Sequence, residues 1–259
     1  MEKSYEEEIA ELREKIVRLE DALIKAQSLT TVGELAGTTV HEFNNILTLT
    51  INYARMGLRH KDDETREKAF NKILEASNRA AKITNVVLGM ARNRSKGLES
   101  TDLTAIVEGA LLLLERELTK YRVVVEKNFA PVPRVLANGG QIQQVVVNLL
   151  VNARQASPNG GRVVVKIRTC EDSPGFVELT VRDYGVGIPQ EQLPLIFDSF
   201  FSTKEGPDES GKGGSGLGLS ACKRIIENHK GKIRVESAVG KGSAFIIRLP
   251  ICPSEDANA

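Results

Sequence analysis

From Ile9 the apolar residues of this chain fall at Ile9, Leu12, Ile16, Leu19, Leu23 and Ala26, in alternating steps of three and four with Glu, Lys and Arg between them. That spacing predicts a coiled-coil seam. A lone helix would leave the seam in water, and each buried Leu or Ile is worth roughly 1.5 to 3 kcal/mol, so pairing with a second copy is expected. Past Ala26 the heptad phase slips to Leu29, Val32, Leu35, Ala36, Val40, Phe43 and Leu47, yet no proline interrupts the helical pattern before Arg59. A polar turn, His60 to Glu64, precedes a second amphipathic run from Thr65 to about Asn93, marked by Phe70, Ile73, Leu74, Ala80, Ile83, Val87 and Met90. Two helices joined by a tight turn make a hairpin with half a core, and two hairpins together make a four-helix bundle.

The polar stretch Asn93 to Ser100 marks a change of composition, and Thr101-Asp102 offers a helix cap. The pattern beyond it predicts a helix at about 102–118, strand 121–129, a short strand near Val135, helix 139–156, and strands 162–169 and 176–183. A helix near 190–196, a loop, helix 215–229 and strands 232–237 and 243–250 follow. Such an order implies helices on one face of a mixed sheet.

The length allows one to two domains, and 41% hydrophobic residues suffices for real cores. No apolar run is long enough to span a membrane, and Met1 to Glu8 is too acidic for a targeting segment, so a cytoplasmic segment without membrane contact is expected. With 35 Lys plus Arg against 34 Asp plus Glu, no nucleic-acid partner is expected either. Cys170, Cys222 and Cys252 show no CxxC spacing and read as small hydrophobes.

Four segments of the second half carry chemistry: Asn148 to Ala153, Asp183-Tyr184-Gly185-Val186-Gly187, Phe197 to Lys204, and Gly213 to Leu219. Asn148 and Asn152 are four apart on a helix, so both amides project from one face, where a neutral oxygen suits magnesium already bonded to phosphates. Asp183 ends an alternating strand, and its carboxylate can accept the exocyclic amine of adenine. Gly185 and Gly187 supply turns in which no side chain blocks the base. The glycine run leads into a helix, whose backbone amides and positive dipole end suit phosphates.

In this order the segments resemble the N, G1, F and G2 boxes of the ATP-binding domain of sensor histidine kinases. His41-Glu42-Phe43-Asn44-Asn45, preceded by Gly33-Glu34-Leu35-Ala36, is similar to that family's phosphoacceptor box. The resemblance implies an α+β chain of two domains: a long helical hairpin with an N-terminal coiled coil, then an α/β sandwich of the Bergerat ATP-binding type with a mixed sheet and helices on one face. The expected boundaries are a coiled-coil signal helix at 1–28, a dimerisation and phosphotransfer hairpin at 29–96, the ATP-binding domain at 101–252 and a disordered tail at 253–259.

By the same resemblance Asn152 holds Mg2+ with Asn148 in its shell, while Gln155 and Arg154 are further candidates on that helix. Asp183, Gly185, Gly187, Ile188 and Phe197 surround the nucleotide, and Lys204, Gly214, Ser215, Gly216, Leu217 and Gly218 contact ATP. Glu205 to Lys212 suits a lid, hinged on the core by Phe197 and Phe200 or Phe201. The sequence departs from the family at Ser199 and Ile46, where many members carry proline, and at Lys230, where they carry glycine. A straighter helix below His41 is expected at Ile46.

His41 is then the phosphoacceptor and Glu42 its base: a neutral imidazole attacks phosphorus while the carboxylate accepts the other ring proton. The resemblance makes Asn45 a candidate for water positioning in dephosphorylation, and Thr48 and Asn52 part of the docking surface for a response-regulator receiver domain. His60 and His229 read as structural or capping. The expected activity is ATP-dependent autophosphorylation and phosphotransfer by a cytoplasmic homodimer, either on its own or as the cytoplasmic part of a larger receptor. Competing readings are an ATP-hydrolysing clamp of the chaperone, topoisomerase and mismatch-repair kind, and a dimeric scaffold or phosphatase with a relic ATP site.

Overall fold

The computed structural model describes residues 2–91, 97–157, 160–202 and 216–253. Helix α1 runs unbroken over Glu2–Arg59 and α2 over Asp63–Ala91. The reversal between them is set by Asp62, whose carboxylate accepts the Thr65 N–H at 2.8 Å and so caps α2. Ile46, which stands where proline would remove a helical donor, is buried, as are Ala69, Ala76, Ile83 and Val86 of α2. Val40, Leu47, Ile51, Leu58, Phe70 and Leu74 remain exposed. Of the coiled-coil seam, Ile9 and Leu12 are half exposed in the single chain; the other seam side chains lie outside the described ones.

Strand β1 (Glu99–Thr101), which the sequence pattern does not announce, pairs antiparallel with β3 (Val135–Ala137). Between them lie α3 (Leu103–Lys120), capped by Asp102 through the Ala105 N–H, and β2 (Val124–Phe129). The strand starts three residues later than its pattern suggests, because Tyr121 closes α3 and Arg122 turns through φ 54°. Helix α4 (Gly139–Ala156) is capped by Asn138 through the Gln141 N–H. It leads to β4 (Arg162–Thr169) and β5 (Phe176–Asp183). The chain ends with α5 (Gly218–Asn228), β6 (Lys232–Ala238) and β7 (Gly242–Pro250).

The five-stranded sheet has the order β2-β4-β5-β7-β6, with β2 parallel to β4 and the remaining pairs antiparallel. Helices α3, α4 and α5 pack on one face of it. Their contact is the core: Val145, Val146, Leu149 and Leu150 of α4 meet Val163, Val165, Leu179, Val181, Ile247 and Leu249, all fully or almost fully buried. Such a core is worth roughly 1.5 to 3 kcal/mol per large side chain.

The helix expected near 190–196 is not there. That segment is a chain of turns in which the Gln192, Leu193 and Leu195 N–H groups donate three residues back. Pro194 has no N–H to give and blocks the residue before it from helical geometry.

The hairpin also rests on the other domain. Val86, Ile83 and the half-buried Phe43 join the same apolar cluster as α3 and α4. The backbones come close where glycines face each other: a Cβ on Gly140 of α4 would overlap the carbonyl of Gly89 of α2.

Candidate functional site: an adenine-nucleotide cleft beside an exposed histidine

Asp183 ends β5 and is 2% exposed. Its Oδ1 accepts the Gly185 N–H at 2.9 Å and the Ser243 N–H at 3.2 Å. One carboxylate oxygen is thus fixed by backbone, and Oδ2 is the oxygen left to accept. Burial pushes the Asp183 carboxyl up from its ordinary value, while the two backbone donors oppose that rise.

The glycines beside it work differently from the sequence expectation. A Cβ on Gly185 would overlap the carbonyl of Ala156, and one on Gly187, where φ is +72°, would overlap that of Ala238. Both are glycine because neighbouring backbone occupies the space. Ile188, half buried, follows and donates its N–H to Ser237 Oγ at 2.8 Å, tying the turn to β6.

On α4, Asn148 and Asn152 are both partly buried. The Asn148 amide donates to the Gly218 carbonyl at 3.4 Å and approaches Cys222 Sγ at 3.8 Å, which draws the asparagine helix against the start of α5 from 70 residues away. Gln155 is partly buried on the same helix. Arg154 is turned away from the asparagines: it lies 3.7 Å from Glu117 and 4.6 Å above the Tyr121 ring, so its placement is against α3 and not toward phosphates.

Helix α5 begins at Gly218 with Leu217 at its N-cap and no side-chain cap, whereas α3 and α4 carry Asp102 and Asn138 there. Among the described residues the start of α5 therefore has no side chain to cap it. Gly216, at φ +66°, leaves no room for a side chain, because a Cβ would lie 2.5 Å from the Phe200 carbonyl carbon. The Phe200 N–H in turn donates to the Gly216 carbonyl at 3.0 Å. Phe197 and Phe201 are half buried against the core, but Phe200 is 73% exposed with φ +69°. The apolar footing is therefore Phe197 and Phe201. Lys204, Gly214, Ser215 and the stretch Glu205 to Lys212 lie outside the described residues.

His41 is exposed on α1, with Asn45, Thr48 and Asn52 exposed along the same helix and Glu42 partly buried. Glu42 is held by Arg79 of α2, whose Nε donates to Oε1 at 2.8 Å, an ion pair across 37 residues that no motif announces. His60 stands in the hairpin turn 3.8 Å from Asp62. His229 is buried, with both ring nitrogens bonded to backbone groups. Cys170, Cys222 and Cys252 are free thiols. Burial pushes the Cys222 thiol up to about 12, so it packs as a hydrophobe. No described helix is long and apolar enough to cross a membrane.

A buried acid at a strand end, paired asparagines and an uncapped helix after a glycine turn, joined to a hairpin that displays a histidine, define an ATP-binding domain coupled to a phosphoacceptor domain. Residues 137–253 match the family of histidine kinase-, DNA gyrase B- and HSP90-like ATPases, and residues 31–96 match the His Kinase A (phospho-acceptor) domain. The chain belongs to the sensor histidine kinases of two-component systems. It is 36% identical over 245 residues to the sensor kinase CckA of Brucella abortus, covering 90% of this chain and 25% of that protein. It is 32% identical over 251 residues to sporulation kinase C of Bacillus subtilis, covering 96% and 54%. The chain thus spans between a quarter and about half of these curated relatives.

Among solved structures, a mycobacterial sensor histidine kinase, MprB, superposes with a TM-score of 0.51 at 32% identity, covering 61% of this chain and 99% of that one. The histidine kinase ThkA, solved in complex with the response regulator protein TrrA, gives 0.51 at 28% identity over 89% of this chain and 65% of that one.

Proposed function

We propose that this chain transfers the γ-phosphoryl group of ATP to the imidazole of His41 and passes it to an aspartate on a response-regulator receiver domain. The observation that carries the reading is the Asn148–Gly218 contact, which unites the asparagine helix and the glycine-led helix beside the buried Asp183.

Oδ2 of Asp183 accepts the adenine amine, and guanine, with a carbonyl at that position, is repelled. The N–H groups opening α5 bind the phosphates. The donors present fit Mg2+: neutral amide oxygens of Asn152 and Asn148 suit a hard cation that already carries phosphate oxygens. Bound there, the ion would neutralise triphosphate charge. The unprotonated ring nitrogen of His41 attacks the γ-phosphorus, the bond to the β–γ bridging oxygen breaks and ADP leaves. Glu42 takes the proton from the other ring nitrogen.

Asn45, one turn beyond His41 and exposed, orients water against the phosphorylated regulator in the reverse, phosphatase reaction. Thr48 and Asn52 form part of the surface the regulator docks on. The exposed stripe Val40, Leu47, Ile51, Phe70 and Leu74 is buried against a second copy, giving a homodimer whose two hairpins share one four-helix core. The ranges 1–28, 29–96 and 101–252 are then signal helix, phosphotransfer hairpin and ATP-binding domain. The segment works in the cytoplasm.

Incubation with labelled ATP and Mg2+ tests the assignment: acid-labile label appears on the wild type and is absent from His41→Gln. Label retained by that variant overturns the choice of histidine. Mg2+-dependent ATP binding is abolished in Asn152→Ala; undiminished binding removes Asn152 from the metal site.

A further inference from the structure

Arg79 reaches two carboxylates that belong to different parts of the chain. Its Nε donates to Glu42 Oε1 at 2.8 Å and its Nη2 to Glu115 Oε2 at 2.7 Å. Glu42 stands next to the phosphoacceptor His41, while Glu115 lies on α3 of the ATP-binding domain. A guanidinium offers its donors in a rigid fork, so it can hold both acids at once. One oxygen of the acid proposed to serve the imidazole is thereby committed to the cation.

A second, steric feature closes the same joint further along α2. Gly89 of α2 and Gly140 of α4 meet there, and Gly109 of α3 borders the same joint through Val86 and Gln143. A Cβ on Gly140 would overlap the Gly89 carbonyl, and one on Gly109 would lie 3.1 Å from both Val86 Cγ2 and Gln143 Nε2. Gly140 and Gly89 let the backbones of α4 and α2 lie directly on one another, while Gly109 makes room for the Val86 and Gln143 side chains. The joint is built from charge at one end and from absent side chains at the other.

Its position matters for the chemistry. Around α4, Asn152 and Arg154 point about 200° apart, and Arg154 faces α3 through Glu117 and Tyr121. The flank of α4 that carries Asn152 is therefore turned away from Glu117 and Tyr121.

We infer that Arg79 is a positioning residue that holds the kinase in a docked, resting arrangement, clamping the ATP-binding domain to α2 through Glu115 while it keeps Glu42 off His41. Undocking removes Glu115 from the fork. The remaining pair with Glu42 is then an ordinary exposed contact of little strength, and the carboxylate is released to serve the imidazole as the nucleotide arrives.

The inference rests on the kinase reading, and the test separates the two. Initial rates of His41 labelling are measured on the full chain with labelled ATP and Mg2+ for wild type, Glu115→Gln and Gly140→Ala. Neither substituted residue touches the nucleotide or His41, and alanine is a better helix former than the glycine it replaces, so α4 is not weakened. Glu115→Gln is expected to raise the rate about threefold at an unchanged KM for ATP, the factor set by one exposed ion pair. Gly140→Ala is expected to raise it at least as much. Amide exchange along residues 83–90 of α2 should quicken in both. Wild-type labelling with neither variant faster, or exchange unchanged, overturns the docking inference and leaves the kinase reading intact. A wild type that takes no label overturns both.

Discussion

His229 Nε2 accepts the backbone N–H of Asn138, 91 residues earlier, at 2.9 Å. The Nδ1–H donates to the Ile225 carbonyl at 2.7 Å, so the ring is held as one neutral tautomer that pins the end of α5 to the cap of α4. Burial pushes its pKa below the ordinary histidine value, with the bond to Ile225 opposing. A proton on Nε2 would set two donors against each other.

The unfolded chain therefore binds that proton more readily than the folded one. The contribution of His229 is complete above pH about 6.5, the unfolded value, and is lost as the pH falls below it. Thermal unfolding followed from pH 8 to pH 5.5 should show a melting temperature that is flat and then declines. In His229→Gln the decline over that window should flatten. A wild-type curve level throughout would contradict the account.

Asp183→Asn should abolish ATP binding at micromolar nucleotide. With Oδ1 of the amide still taking the Gly185 and Ser243 donors, the NH2 group would face the adenine amine, donor against donor. Losing a hydrogen bond to a charged group costs about 1.5 to 3 kcal/mol, and the clash adds to it, so a loss of about a hundredfold or more is expected by calorimetry. Binding within a few-fold of wild type would show that the base lies elsewhere.

Gly187→Ala and Gly240→Ala separate space from backbone conformation. Both residues have positive φ, +72° and +76°, but a Cβ at Gly187 overlaps Ala238 whereas nothing lies within 4 Å at Gly240. Gly240→Ala should cost about 1 kcal/mol of unfolding free energy, the left-handed penalty alone. Gly187→Ala should cost more than twice that. Equal losses in denaturant titrations would mean that the turn relaxes around the added methyl.

Lys230→Gly should stabilise the chain by about 0.5 to 1 kcal/mol, the relief of a non-glycine left-handed residue offset by the freer unfolded chain. Lys230 has φ 54° and follows His229 at the end of α5. Its N–H donates to Glu227 and that of Gly231 to Ile226, the paired bonds of a helix stop that favours glycine. An unchanged or lower denaturation midpoint would count against this strain.

What could be read from the chain alone follows the range of each interaction. The strands and helices around the core announce themselves because Val163, Val165 and Ile167, or Val146 and Leu150, repeat at the period of their own element. The chemical segments are local as well: Asp183 to Gly187 and His41 to Asn45 each fit within five residues. The Arg79 bridge spans 37 residues to one acid and 36 to the other, and nothing in its own neighbourhood marks it. Pro194 lies inside the segment 190–196 and is at odds with the helix expected there, a conflict that is legible in the sequence. The tasks of Gly185 and Gly187 depend on where Ala156 and Ala238 come to lie, which only the assembled sheet decides.

The bond from the Phe200 N–H to the Gly216 carbonyl staples the half-buried footing of Phe197 and Phe201 to the residue that leads into α5. The opening of that helix is thereby registered on the apolar core and not on a side-chain cap of its own. Trimming Phe201 would accordingly loosen the start of α5 without altering a single one of its residues.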